Sequence, residues 1–359
     1  MAASLFSPKA AIQEILPGWQ CRSALAFCRG LLLTEKVPTL TAIATAAGPV
    51  MAPLGELFDD AFAWWDPAAL WRSQWQGLDP GGSLLLDDTV NPKENTHATE
   101  ATHPVFAGCK KRVLQGQTFM AALYVQPSGG VCLLWMGLWM PDGPDKLTLA
   151  RRIIEQVLEA GIRPADISFD GWYADADLLG WIDRQDLSWT TRIRKNRKFY
   201  FPGGVESNPK KWAQGAPIES WHYYREHGAY AKAIKVANHE ILPAKLVAVR
   251  YGRSAKPDDW VFMLTNDRAA GVRKVIGRYR RRWGIEVAFR TCKQVLGMNV
   301  YRHLTAIGAE RHVALVGFLF NYLSGWQHRT GLTIGQLKRL VAKPRRTGLH
   351  STSGPEMAA

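Results

Sequence analysis

Four residues late in the chain, Tyr279, Arg282, Glu286 and Lys293, bring together a phenol, a guanidinium, a carboxylate and an ammonium. The stretch that carries them, Tyr279 to Gly297, has no internal Pro or Gly cluster and reads as one helix. At about 100° per residue the four fall within roughly 60° of arc, on one face. Ile285, Ala288, Cys292, Val295 and Leu296 collect on the other side and give the helix an apolar back. Such a front can present a metal-binding carboxylate to a phosphodiester while the cations and the phenol hold phosphate oxygens. A solvated charged face is the plain alternative, so the chemistry depends on partners elsewhere.

Two stretches upstream supply candidates. Leu84-Leu85-Leu86 reads as a short apolar strand running into Asp87 and Asp88, followed by Thr89. Interior acids are costly unless something pairs with them, and a divalent cation is one such partner. Asp166 to Tyr173 reads as a second strand that delivers Asp170 at its carboxyl end; a capping or turn role is the alternative for that residue. Between them, Thr118 to Val125 and Val131 to Met140 form a hairpin over Pro127-Ser128-Gly129-Gly130. A helix about Leu147 to Leu158, a second from Leu178 to Arg184 and a strand from Leu187 to Ile193 complete the pattern. Three strands, helix, strand, helix, strand is the order of a ribonuclease H-like α/β fold. Open α/β sheets form their sites at the carboxyl ends of strands.

Tyr279-x2-Arg282-x3-Glu286-x6-Lys293 resembles the Tyr-Arg-Glu-Lys signature of bacterial DDE transposases of the insertion-sequence-four type. Asp87-Asp88-Thr89 resembles the first catalytic motif of that family, and Asp170-Gly171-Trp172-Tyr173 the second. The resemblance implies that the first metal ligand is the Asp directly before Thr, hence Asp88, with Asp87 the fallback. Asp88, Asp170 and Glu286 would then hold two Mg2+ ions, or Mn2+, roughly 3.5–4 Å apart. Tyr279, Arg282 and Lys293 would grip phosphates, and Trp172 or Trp283 would hold an unstacked base. The implied activity is cleavage at transposon ends followed by strand transfer into target DNA, by a homodimer on paired terminal inverted repeats. Two other classes fit the same acids: a ribonuclease H-like nuclease without strand transfer, and a non-catalytic DNA-binding relative.

Composition agrees with a polyanionic partner. The 359 residues carry a formal charge of +14, which points to nucleic acid before membrane. The five cysteines include no Cys-x-x-Cys, which argues against zinc and a disulfide framework and for a reducing cytoplasm, nucleoid-associated in a bacterium. No apolar run is long enough to span a bilayer. The expected domains are a helical DNA-binding region at 1–78, rich in tryptophan, and a catalytic domain from 79–195 and 269–330. A β-rich insertion at 196–268 and a basic, partly disordered tail at 331–359 complete the division. Asp79-Pro80-Gly81-Gly82 marks the first boundary.

Overall fold

The computed structural model describes residues 8–16, 18–34, 39–48, 54–59, 61, 63–94, 98–108, 111–237 and 243–342. Cys109, Lys110, Lys343, Arg345 and Arg346 lie outside the described residues. The helices before the first strand are α1 (Pro8–Ile15), α2 (Trp19–Leu33), α3 (Leu40–Ala47) and α4 (Pro67–Arg72). Strands β1 (Ser83–Pro92), β2 (His103–Ala107), β3 (Arg112–Val125) and β4 (Val131–Trp139) follow, then α5 (Lys146–Glu159), β5 (Asp166–Phe169), α6 (Ala176–Arg184) and β6 (Trp189–Arg192). Next come β7 (Phe199–Phe201), β8 (Val205–Ser207), α7 (Pro209–Gln214), β9 (His222–Tyr224), β10 (Ala229–Val236), β11 (Ala244–Arg250) and β12 (Val261–Thr265). The chain closes with α8 (Val272–Arg281), α9 (Trp283–Gln294), α10 (Ala306–Thr330) and α11 (Ile334–Ala342). No helix among the described residues is long and apolar enough to cross a membrane.

The elements form two compact units: residues 1–78, 88–146 and 286–359 in the first, and 79–87 with 147–285 in the second. In the second unit the strand order is β1 (its first five residues), β5, β6, β12, β11, β10, β9. β1 and β5 are parallel, as are β5 and β6; every later pair is antiparallel. Helix α5 buries Ala150, Ile153, Ile154 and Val157, the i, i+3, i+4, i+7 stripe of an amphipathic helix. Asp175 starts α6 by accepting from the backbone N–H of Asp177 and Leu178. Val275 and Ile276 of α8 pack with Ala231, Val247, Val249 and Met263 from β10 to β12.

In the first unit β3 pairs with β2 and β4 and neighbours β1. Helix α10 is buried along most of its length and packs against β4, α2, α4 and α11. Three tryptophans of the N-terminal region, Trp65, Trp71 and Trp75, are core residues, whereas Trp64 is 75% exposed. Trp75 donates from Nε1 to the Leu134 carbonyl at 2.8 Å, which ties this helical region to β4. The segment expected as a tail opens with α11, whose Ile334 and Leu337 are buried one turn apart. Among the described residues, the thiols of Cys21, Cys28, Cys132 and Cys292 are buried and form no disulfide; burial pushes Cys28, Cys132 and Cys292 up to about 12.

Gly317 on α10 lets that helix approach α4. A Cβ built there would stand 1.9 Å from the ring of Trp71, itself buried. Gly317→Ala is therefore expected to destabilise the first unit by about 1–3 kcal/mol or more, read as a lower urea midpoint. An unchanged midpoint would mean that Trp71 can yield.

Candidate active site

Two acids meet where the parallel strands of the second unit end. The β1–β5 register runs from Ser83↔Asp166 to Leu86↔Phe169, and the β5–β6 register ends at Phe169↔Thr191. One residue further along stand Asp87, Asp170 and Arg192, side by side on strands spaced about 4.8 Å apart. Residues in register on parallel strands point to the same face. Asp170 keeps extended backbone (φ −73°, ψ 163°), so it continues the line of β5. Its Oδ1 also accepts from the Gly171 N–H at 2.6 Å and caps the short 3₁₀ turn of Gly171–Tyr173. Thr191 Oγ1 donates toward the carbonyls of Phe169 and Asp170, both at 3.3 Å, which fixes that turn to β6. A Cβ at Gly171 would lie 2.8 Å from the Arg192 carbonyl oxygen, so the close approach requires glycine.

Helix α8 covers this face. Asp166, buried at the start of β5, takes Arg281 Nη2 at 3.2 Å, Ser83 Oγ at 3.0 Å and Arg278 Nε at 3.7 Å. Arg278 is itself buried and also pairs with Asp267 at 2.9 Å. Arg278 and Arg281 therefore hold α8 to the sheet. Arg282 Nη1 donates to Asp87 Oδ2 at 2.5 Å, and its guanidinium lies 5.5 Å from the Tyr279 ring centre. Burial raises the Tyr279 phenol above its ordinary value; Arg282 and Arg192 pull it down, and the charge of Asp170 pushes it up. Burial thus keeps the phenol neutral, within reach of the charge of Asp170.

The helix read as continuous from Tyr279 is interrupted. Arg282 lies between α8 and α9, with i→i+3 bonds from Arg282 N to Tyr279 O (3.1 Å) and from Ile285 N to Arg282 O (3.0 Å). It stays in the right-handed helical region (φ −53°, ψ −31°), so the break is a tight turn rather than an exit. Gly284, a weak helix former, sits just inside α9 and accounts for the interruption.

In the first unit Asp88 follows Asp87 on β1 and points to the opposite face of the strand. Lys146 donates to its Oδ2 at 2.8 Å. Lys293 on α9 donates to Thr89 Oγ1 at 2.7 Å and to the Val90 carbonyl at 2.6 Å. Glu286 stands seven residues before Lys293 on the same helical stripe, while Ala288 and Cys292 face the core. Trp172 and Trp283 are both about half exposed, at 52% and 54%. Of the residues singled out in sequence, the second unit thus gathers Asp170, Tyr279, Arg282 and the fallback Asp87, and adds Arg192. Arg192 was hidden in sequence within a run of basic residues.

Among the described residues of either unit, no three His, Cys, Asp or Glu side chains form a ready metal cage. The donors at hand are nonetheless carboxylates, the hard oxygen ligands that Mg2+ and Mn2+ take. Both acids of the Asp87–Asp88 pair already hold a cation, Arg282 and Lys146 respectively, so positive charge suits these positions.

In the second unit, then, parallel strands end in Asp87 and Asp170 under an arginine-rich helix. A solved structure of piggyBac transposase, in a synaptic complex with hairpin DNA, has a similar fold: the TM-score is 0.59 at 10% identity, over 95% of this chain and 80% of that chain. The chain belongs to the transposase DDE domain family, which matches residues 82–322. Comparison with curated proteins gave no match.

Proposed function

We propose that this DDE transposase is of the insertion-sequence-four type and cuts DNA at transposon ends, then joins those ends to target DNA. The observation that carries the reading is the in-register pair Asp87 and Asp170 beneath Tyr279 and Arg282. Glu286 is the third acid. For the first, the register favours Asp87, on the face of Asp170. Asp88 is the second reading, supported by its place directly before Thr89 and by the Arg282 guanidinium that covers Asp87. When bound, two Mg2+ or Mn2+ ions would activate the attacking oxygen and stabilise the leaving one.

The protein's own groups do the rest. Tyr279, held neutral, donates to a phosphate oxygen; Arg282 and Lys293 supply charge-assisted contacts that fix the scissile strand. Trp172 and Trp283 offer exposed faces to an unpaired base. We further assign residues 1–78 to recognition of the terminal repeats, 79–195 and 269–330 to catalysis, 196–268 to a β-rich insertion and 331–359 to a basic tail. The active form on paired ends is a homodimer. Strands β9 to β12, which extend the sheet beyond β6, support the insertion.

The test separates a transposase from a plain nuclease. Losing one charge-assisted contact in the transition state costs about 1.5–3 kcal/mol, roughly one to two orders of magnitude in rate. Arg282→Ala and Lys293→Ala should impair cutting and joining of a paired-end substrate by that factor, and nicking of random duplex less. Equal losses on both substrates, with no joined product from the unmodified protein, would favour the nuclease.

A further inference from the structure

We propose that Arg192 and Arg194 hold consecutive phosphates of a single DNA strand, which leaves the Asp170 carboxylate along the end of β6 with a base against Trp172. This rests on the transposase reading and names where its strand runs. Arg192 ends β6 and stands in register beside Asp170. Ile193 between them is buried while both arginines are exposed, so the two guanidiniums project from the same side of an extended segment. Neither makes an ion pair or a side-chain hydrogen bond among the described residues.

Their basic neighbours are committed elsewhere. Lys195 and Lys210 both meet Asp258, and Arg197 Nη1 donates to the Ala174 carbonyl at 2.5 Å. The run 192–198 thus divides into residues that build the wall and two that are left to bind. The wall encloses a depression of about 890 Å³ beside Trp172 and Arg194, adjoined by one of about 540 Å³ that reaches Asp170 and Arg192. Those dimensions suit a nucleotide rather than a duplex. Asp175, Asp177 and Asp258 also line these depressions, with Asp258 held by two lysines, and the two guanidiniums with the indole match a backbone with a stacked, unpaired base.

Binding of short single-stranded and duplex oligonucleotides should be followed by fluorescence anisotropy over a range of salt. Arg192→Ala and Arg194→Ala should each reduce the log–log salt slope on the single strand by about 0.7. Each should also weaken single-strand binding at moderate salt by about tenfold. Trp172→Ala should weaken single-strand binding by about tenfold with the slope unchanged, because stacking releases no counterion. Arg152→Ala, on the exposed side of α5, should change neither quantity. Slopes unchanged in both arginine variants, or reduced only on duplex, would overturn the strand path. Plasmid nicking by Asp170→Asn separates the two levels. If that variant is inactive while the arginine variants bind normally, the path alone fails; if it nicks normally, the catalytic reading fails as well.

Discussion

Asp170→Asn and Glu286→Gln should each abolish Mg2+-dependent cutting of DNA, by about three orders of magnitude or more. A metal at a phosphoryl oxygen supplies several kcal/mol of transition-state stabilisation, and each 1.36 kcal/mol is tenfold in rate. The amides keep the shape of the carboxylates and remove only their charge. DNA binding should hold or tighten, since a negative charge leaves a site facing a polyanion. Single-turnover cleavage with a parallel gel shift reads both quantities. The same assay decides between the acids of β1. Asp87→Asn should be as inactive as Asp170→Asn, whereas Asp88→Asn weakens the ion pair with Lys146 and should keep most of its activity. The reverse result would make Asp88 the ligand, and activity in Glu286→Gln would remove the third acid from the site.

Stability should fall steeply between neutral pH and pH 5. In the first unit, His303 and His312 pack with Tyr301, Phe58 and Phe27. Burial and the nearby charge of Lys93 push His303 down to about 4. Burial, His303 and Lys93 push His312 down to about 3, against a bond to the Gly297 carbonyl that raises it. In the unfolded chain both titrate near 6.5. Between about 6.5 and 4 the unfolded state therefore binds more protons than the folded one. The stability contributed by neutral imidazoles is fully present above 6.5 and is lost as pH falls toward the folded values. Each imidazole accounts for about 1.4 kcal/mol per pH unit, and the pair for about 2.7. Urea midpoints at pH 7, 6 and 5 measure the slope. His312→Leu should roughly halve it, and a flat profile in the unmodified protein would contradict the burial of both rings.

The place of Asp170 at the end of a strand was legible because an apolar run closed by an acid needs no partner to be recognised. The choice between Asp87 and Asp88 was not. Strand parity is set by pairing with β5, and only the register says which carboxylate shares a face with Asp170. β1 also runs on through Asp87–Pro92, a stretch whose Asp, Asn and Pro disfavour strand locally. Pairing beside β3 overrides that preference. Composition could not sort the arginines either. Arg278 and Arg281 stand among other arginines in sequence, yet they neutralise the buried Asp166, which becomes their neighbour only on folding. The tryptophans of residues 64–75 divide in the same way: one is exposed and three fill a core.

The ion pair between Arg282 and Asp87 carries a thermodynamic consequence. A guanidinium bound to its own carboxylate cannot also serve a DNA phosphate at full strength, and that carboxylate cannot give its full charge to a cation. When a phosphate draws Arg282 away, Asp87 loses its counter-ion and its affinity for a divalent ion rises. By linkage, a divalent ion at Asp87 raises the affinity of Arg282 for phosphate by the same factor. The two ligands then bind cooperatively, so the free protein resists loading and the nucleic-acid complex favours it. Arg282 then acts as a coincidence detector that favours metal and nucleic acid together over either one alone.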